Sequence, residues 1–363
     1  MVGSAIVRKL LAQGHGHIVG SFASRVPQPI AQERYERLDL LDAVAVAEFF
    51  AREKPEYVFL AAAKVGGIVA NNRYRAQFIY QNLQIQSNVI HQSYVHGVRK
   101  LLFLGSSCIY PKLAPQPMRE EHLLTGELEY TNEPYAIAKI AGLKMCESYN
   151  LEHGTNFVAV MPTNLYGYRD NFDLEKSHVL PALVRKMHLA KALREGRWDL
   201  LRRDLDQNPI GPTDGNASRE QILEALARHG VRLDPEGQAV VELWGTGSPR
   251  REFLHADDLA EACLFLMRRW NFAEAAAPRG KEVRNTHINI GVGHDLSIRE
   301  LAGLVREVVG FEGRLDWDSQ KPDGTPRKLL DVSQLAALGW TASIPFRQGI
   351  EQVYQDYLRG LED

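Results

Sequence analysis

Apolar residues along this chain fall into two alternating textures. Short continuous runs, YVFLAAA at 57–63, LLFLGSS at 101–107 and FVAVMP at 157–162, show no polar alternation. Longer stretches at 43–53, 74–96 and 132–153 carry apolar residues at helical spacing, with Asp42 placed to cap the first of them. HIVGSFAS at 17–24 reads as a further strand. Fully apolar strands separated by helices predict an α/β fold, a doubly wound parallel sheet covered on both faces and joined by right-handed crossovers. The chain opens inside this pattern. Ile6, Val7, Leu10 and Leu11 recur at helical spacing and Gly14 stands where a helix stops, so Gly3 falls in a first helical turn with only two residues before it.

Beyond residue 165 the texture is mixed. Strand-like runs recur at 240–245 and 288–291, and helices are expected at 257–269 and 297–309, where Asp257 and Asp258 read as helix-start residues. These pieces predict a smaller mixed α/β lobe assembled from non-contiguous segments. The resulting division is 1–168 plus 252–290 for the large domain and 169–251 plus 291–363 for the lobe. Within the lobe, 191–239 stands apart. A turn-rich NPIGPTDGNAS precedes a capping box, Ser218 to Gln221, and the helix it opens stops at Gly230. This block reads as an added helical appendage or interface rather than a catalytic part.

Composition narrows the function classes. Hydrophobic residues are 45% and charged residues 24% of 363, and 43 Lys plus Arg against 45 Asp plus Glu leave a formal charge of -2. That balance gives no electrostatic reason to expect nucleic acid or an anionic membrane as partner. No apolar run approaches the ~18 residues of a membrane span. Cys108, Cys146 and Cys263 are too few and too scattered for a disulfide framework or a zinc site, and they suit a reducing cytoplasm. Cys146 and Cys263 lie in apolar helical patterns and read as core, whereas Cys108 follows a strand-like run ending in Gly105-Ser106-Ser107. His15 and His17 alternate into a strand, and His91 and His96 stand five apart, so neither pair has metal-ligand spacing on a helix; no metal is implied.

Tyr135 and Lys139 stand four apart and share one helix face. A cation beside a phenol favours phenolate and eases proton exchange with a carbonyl oxygen. Alone, the pair also suits an ordinary helix surface. Its neighbours change that reading, because strand ends followed by Ser106, Thr163 and Asn164 put polar groups at the carboxyl edge of the sheet, where ligands bind in doubly wound folds.

LGSSCIYP, YAIAK and MPTNLYG together resemble the extended short-chain dehydrogenase/reductase family acting on nucleotide sugars. More narrowly, AAAKVGGIVANN (61–72), LGSSCIYPK (104–112), NEPYAIAKIAG (132–142), REFLH (251–255) and KPDGTPRKLLDV (321–332) resemble its GDP-L-fucose synthase branch, over nearly all the chain except 191–239. The resemblance implies a Rossmann-type domain and a reaction on GDP-4-keto-6-deoxy-D-mannose: epimerisation at C3 and C5, then reduction of the C4 ketone by NADPH. It implies that Ser106 and Tyr135 hydrogen-bond the ketone oxygen, that Lys139 holds the nicotinamide ribose and tunes Tyr135, and that Cys108 and His178 exchange the C3 and C5 protons. Thiol and imidazole both exchange protons near pH 7. Read without the resemblance, Cys108 is a small buried residue and His178 a polar helix start.

For the cofactor, the resemblance places Gly3, Asp39, Ala61, Ala62, Ala63, Leu104, Gly105, Pro162, Thr163, Asn164 and Leu165 along its path, beside Tyr135, Lys139 and His178. The residues themselves argue for NADP, since the strand ending FASRVPQP carries Ser24 and Arg25 and no carboxylate, and an arginine there can bind a 2′-phosphate or simply be a surface residue. For the GDP-sugar the resemblance points to Lys186, Trp244, Arg251 and Asp323, and for assembly to a homodimer through helices near 74–96 and 132–153. Another extended-family nucleotide-sugar epimerase or dehydratase would keep Ser106, Tyr135 and Lys139 without needing Cys108 and His178 as a pair; a non-catalytic dinucleotide sensor would need none of them. The resemblance also gives the opening MVG a meaning. Relatives carry a strand and a G-x-x-G-x-x-G loop before this helix, so Gly3 matches the last glycine, the one that allows close helix–sheet packing. The expectation is a natural start upstream, with weak cofactor binding, low stability and a gap in the sheet for the chain as written.

Overall fold

The computed structural model describes residues 1–23, 34–277, 280, 282–321 and 323–362. It divides into two units, one made of Met1–Leu165, Leu254–Gly293 and Leu329–Ser343, the other of Tyr166–Phe253, His294–Lys328 and Ile344–Asp363.

The first unit is built on parallel strands. Ile288–Ile290, Phe157–Pro162, Lys100–Leu104 and Tyr57–Leu60 form one four-stranded sheet in that order, every pair parallel. The apolar runs are continuous because both faces are covered. Leu101, Phe103, Phe157, Ala159 and Met161 enter one core with Phe50, Ile90 and Leu143, whereas Leu102, Leu104, Val158 and Val160 enter the other with Ala5, Leu259 and Leu264. Val19–Phe22 and Arg34–Arg37 form a separate two-stranded parallel sheet. Helices Val2–Ala12, Ala43–Glu53, Arg75–Val95, Glu133–His153 and Ala256–Arg269 supply the cover. Asp42 caps the second of these as its position predicts, accepting from the amides of Val44 and Ala45 at 3.0 Å each. Buried Lys100 closes the end of Ala256–Arg269, its ammonium donating to the carbonyls of Leu266, Met267 and Trp270 at 2.9, 2.8 and 2.7 Å.

One expectation needs correction here. Residues 329–343 belong to the first unit, not to the lobe: Met118 and Leu329–Asp331 exchange backbone hydrogen bonds at 2.8 Å, and Ser343 donates to buried Asp258. Asp257 and Asp258 stand in the first turn of helix Ala256–Arg269 as expected; Asp258 is also a buried acceptor, and His255 is the cap that accepts from the Asp257 amide. Ala5 and Ile6 form the buried face of helix Val2–Ala12, and no described atom lies within 4 Å of where a side chain at Gly3 would begin.

In the second unit, Arg314–Asp318 pairs parallel with Ala239–Trp244, which pairs antiparallel with Val231–Leu233. Helices Val179–Arg194, Trp198–Gln207, Arg219–Arg228, Ile298–Val309 and Phe346–Gly360 surround one core. The Ser218 capping box forms, with Ser218 Oγ accepting from the Gln221 amide at 3.3 Å and Gln221 Oε1 from the Ser218 amide at 2.9 Å. The 191–239 block is helical but not an appendage. Leu201, Leu205, Ile222, Leu226 and Val231 lie in the same core as Leu183, Val184, Val305 and Ile350, because both helices of the block turn an apolar face inward.

Candidate functional site

In the first unit, chemistry gathers at the carboxyl end of the Lys100–Leu104 strand. The Gly105 amide donates to Val160 O at 2.8 Å, and a side chain at 105 would overlap the Met161 thioether, so only glycine lets the two strand ends lie this close. The chain then turns through Ser106, whose hydroxyl accepts from the Cys108 amide at 3.4 Å and starts the single helical turn Ser107–Ile109. That turn buries Cys108. Its far side is anchored by Tyr110, whose hydroxyl donates to Asn289 Oδ1 at 2.5 Å and lies 2.9 Å from His287 Nε2.

Helix Glu133–His153 brings Tyr135 and Lys139 to this end. The Lys139 ammonium is buried, donates to Leu104 O at 2.8 Å and lies 4.8 Å over the Phe103 ring and 5.8 Å over the Tyr135 ring. Burial lowers its pKa to about 8, against a smaller upward pull from Cys108. The Tyr135 phenol departs from expectation. Burial pushes its pKa up, the Cys108 sulfur adds to the rise, and a hydrogen bond with Ser106 only partly opposes it. Desolvation thus outweighs the lysine, and the phenol stands as a protonated acid. Phe78 packs edge-on against Tyr135 with ring centroids 6.3 Å apart.

Ala61 to Ala63 follow the Tyr57–Leu60 strand, with Ala62 exposed. Sequence reasoning missed the residue that holds this loop. Asn82 is buried, accepts from the Lys64 amide at 2.9 Å and donates to Lys64 O at 3.0 Å. The signal was present as a polar stripe, Asn82, Gln86 and Ser93, on the buried face of helix Arg75–Val95. Thr163 is buried, and its amide donates to Ile290 O at 3.0 Å, beside partly buried Asn164 and Leu165. Asp39 is exposed and accepts from the Leu41 amide. Arg25 lies outside the described residues.

The second unit carries the remaining candidates. His178 precedes helix Val179–Arg194, and desolvation lowers its pKa, which keeps the imidazole neutral at pH 7. Two turns on, Lys186 donates to Glu242 O at 3.4 Å; burial lowers its pKa to about 8, with Glu242 pulling the other way. Trp244 is exposed with the Lys321 ammonium 5.6 Å over its ring. Asp323 accepts from the Thr246 amide at 2.7 Å and from its hydroxyl at 2.8 Å, clamping the turn after Trp244. Gly245, at φ +78°, is the position where that carboxylate leaves no room for a side chain. Arg251 donates to Arg250 O at 2.8 Å, and burial lowers its pKa against the attraction of Asp323. Among the described residues no three His, Cys, Asp or Glu side chains are grouped to hold a metal ion, and no helix is long and apolar enough to cross a membrane.

The model of the NAD dependent epimerase/dehydratase family matches residues 1–205 and 207–291. The chain belongs to this family. Among relatives of this epimerase-family chain, GDP-L-fucose synthase 1 of Arabidopsis thaliana is 50% identical over 361 residues, which span 99% of the chain and 91% of the relative. A GDP-6-OMe-4-keto-L-xylo-heptose reductase from C. jejuni superposes with a TM-score of 0.87 at 42% identity, covering 99% of this chain and 94% of that one. A GDP-mannoheptose C4 reductase from Campylobacter jejuni with NADP bound gives 0.79 at 41% identity, covering 98% and 95%. The doubly wound α/β fold and an epimerase/reductase chemistry thus rest on both sequence and structure.

Proposed function

We propose that this chain is a GDP-L-fucose synthase, epimerising GDP-4-keto-6-deoxy-D-mannose at C3 and C5 and reducing the C4 ketone with NADPH. The observation that carries the reading is the Ser106–Cys108 turn with Tyr135 and Lys139 beside it, in a chain half identical to a curated synthase. C3 and C5 both flank the ketone, so loss of either hydrogen gives an enolate on one oxygen, and a single pair of donors serves both epimerisations and the reduction. Ser106 and Tyr135 are those donors in this reading. Cys108 and the imidazole of His178, which burial holds neutral, exchange the ring protons in this reading.

The residues present suit a dinucleotide. A lysine ammonium has three N–H donors, and Lys139 uses one on Leu104 O, leaving two for ribose hydroxyls. The small side chains of Ala61 to Ala63 leave the neighbouring strand end open to close approach. NADPH supplies the hydride when bound. Tyr135, held protonated by burial, gives its proton to the ketone oxygen, and the Lys139 charge stabilises the phenolate left behind. Lys186 and Arg251 neutralise the diphosphate, and Trp244 packs on an apolar sugar face.

A second reading, a GDP-heptose C4 reductase, is favoured by the two Campylobacter structures. It keeps the same donors and differs in the group on the sugar's C6. Supplying each 4-keto sugar with NADPH, and following cofactor oxidation and product identity, separates the two. Turnover of the 6-deoxy sugar to GDP-L-fucose supports the first reading; no turnover by folded, cofactor-saturated protein overturns it.

A further inference from the structure

The 191–239 block has no part in the reading above, yet it supplies a fully buried carboxylate, Asp204, to the second unit. Asp204 and Arg185 are both fully buried. Arg185 Nε donates to the two carboxylate oxygens at 3.1 and 3.0 Å, and one terminal nitrogen donates to Oδ2 at 2.7 Å. The guanidinium continues to Phe172 O at 3.1 Å, on the segment leading to His178, and to Asn208 O at the end of the block's first helix. Tyr357 of the C-terminal helix donates its hydroxyl to Asp204. One buried carboxylate thus joins the block, the helix Val179–Arg194 and the helix Phe346–Gly360.

Lys186 is the next residue after Arg185, and the block also borders it from outside. Its acceptor, Glu242 O, belongs to a residue whose amide donates to Gly230 O at 2.7 Å. Strand Val231–Leu233 of the block then pairs with that same edge. An isolated guanidinium in this core would be strongly unfavourable, so Asp204 fixes where Arg185 sits and with it the rotation of the helix at Lys186.

We propose that Asp204 is a positioning residue for substrate binding, holding Arg185 so that Lys186 meets the diphosphate of the GDP-sugar. The proposal rests on Lys186 being a diphosphate ligand, as assigned above. Asp204 touches neither sugar nor reacting atoms, so its loss acts on affinity and leaves the chemical steps nearly intact.

The test uses GDP itself as the probe in titration calorimetry on the full chain, with melting followed in parallel. Asp204→Asn is expected to weaken GDP binding about tenfold, to raise KM for the 4-keto sugar by a similar factor, and to change kcat and NADPH affinity less than twofold. Should Asp204→Asn fail to fold, the double variant Arg185→Met/Asp204→Leu carries the test, since apolar replacement of a buried pair leaves no stranded charge. It is expected to melt near the parent and to show the same loss of GDP affinity. Lys186→Met serves as the reference. If it loses GDP affinity while a folded Asp204 variant binds GDP within twofold of the parent, the positioning role is overturned. If Lys186→Met itself binds GDP normally, the assignment of Lys186 falls instead.

Discussion

Lys139 donates to the carbonyl of Leu104 at 2.8 Å, a bond between a helix side chain and the last residue of the central strand. It fixes the ammonium at the strand end where Ser106 begins its turn. With its pKa lowered to about 8, Lys139 is charged at pH 7 and loses its proton as pH rises through 8. The rate of NADPH-dependent reduction, as kcat/KM, is therefore expected to fall above about pH 8. Lys139→Met should remove that limb and lower kcat at pH 7 by about 10²–10³-fold, the usual cost of losing a group that stabilises developing charge. Its melting temperature should not drop, because burial already disfavours the charge that methionine removes. A pH–rate profile of both proteins checks this.

Cys108 sits under the Ser106 cap, buried and two residues from the anchor Tyr110. Cys108→Ser keeps the size and removes the softer, more acidic proton carrier. In D2O without NADPH, solvent deuterium uptake at C3 and C5 of the 4-keto sugar is expected to slow by at least tenfold, the lower part of acid–base contributions being about 10². Uptake at the parent rate, read by mass spectrometry, would remove the thiol from the epimerisation.

Gly105 tests the local geometry. Alanine there would overlap Met161 and approach Val160 O at 3.2 Å. Met161 can shift its flexible end, but the carbonyl cannot, so the strand ends must separate. We expect a loss of about 1–3 kcal/mol in denaturant unfolding, as for overpacked cores. We also expect a fall in kcat larger than any change in KM, since Ser106 moves with residue 105.

The parts of the fold that were legible in the sequence depend on local signals. Asp42 before AVAVAEFF and Ser218 before Gln221 are caps that form from neighbours in the chain, and both form. Unbroken apolar runs revealed strands covered on both sides, since a strand with one wet face alternates. The spacing of Tyr135 and Lys139 placed them on one helix face, but the sign of the phenol's shift was not legible. It depends on how much protein surrounds the ring, which spacing does not encode. The same holds for Asp204 and Arg185, nineteen residues apart, whose pairing no local spacing encodes.

Asp170, in the segment before His178, gives a prediction for stability. Burial raises its pKa to about 6, the amide of Asn171 at 2.8 Å opposing the shift, and its Oδ2 has no partner. The folded-state pKa lies above the unfolded value, so the native protein binds this proton more tightly. The carboxyl therefore costs nothing below about pH 4, and its penalty grows as pH rises through 6, reaching about 2–3 kcal/mol for a shift of this size. Asp170→Asn keeps an oxygen for the Asn171 amide and cannot ionise. Its melting temperature should match the parent at pH 4 and exceed it by several degrees at pH 7.5. Equal melting at both pH values would show that the ionised carboxylate is already satisfied in solution.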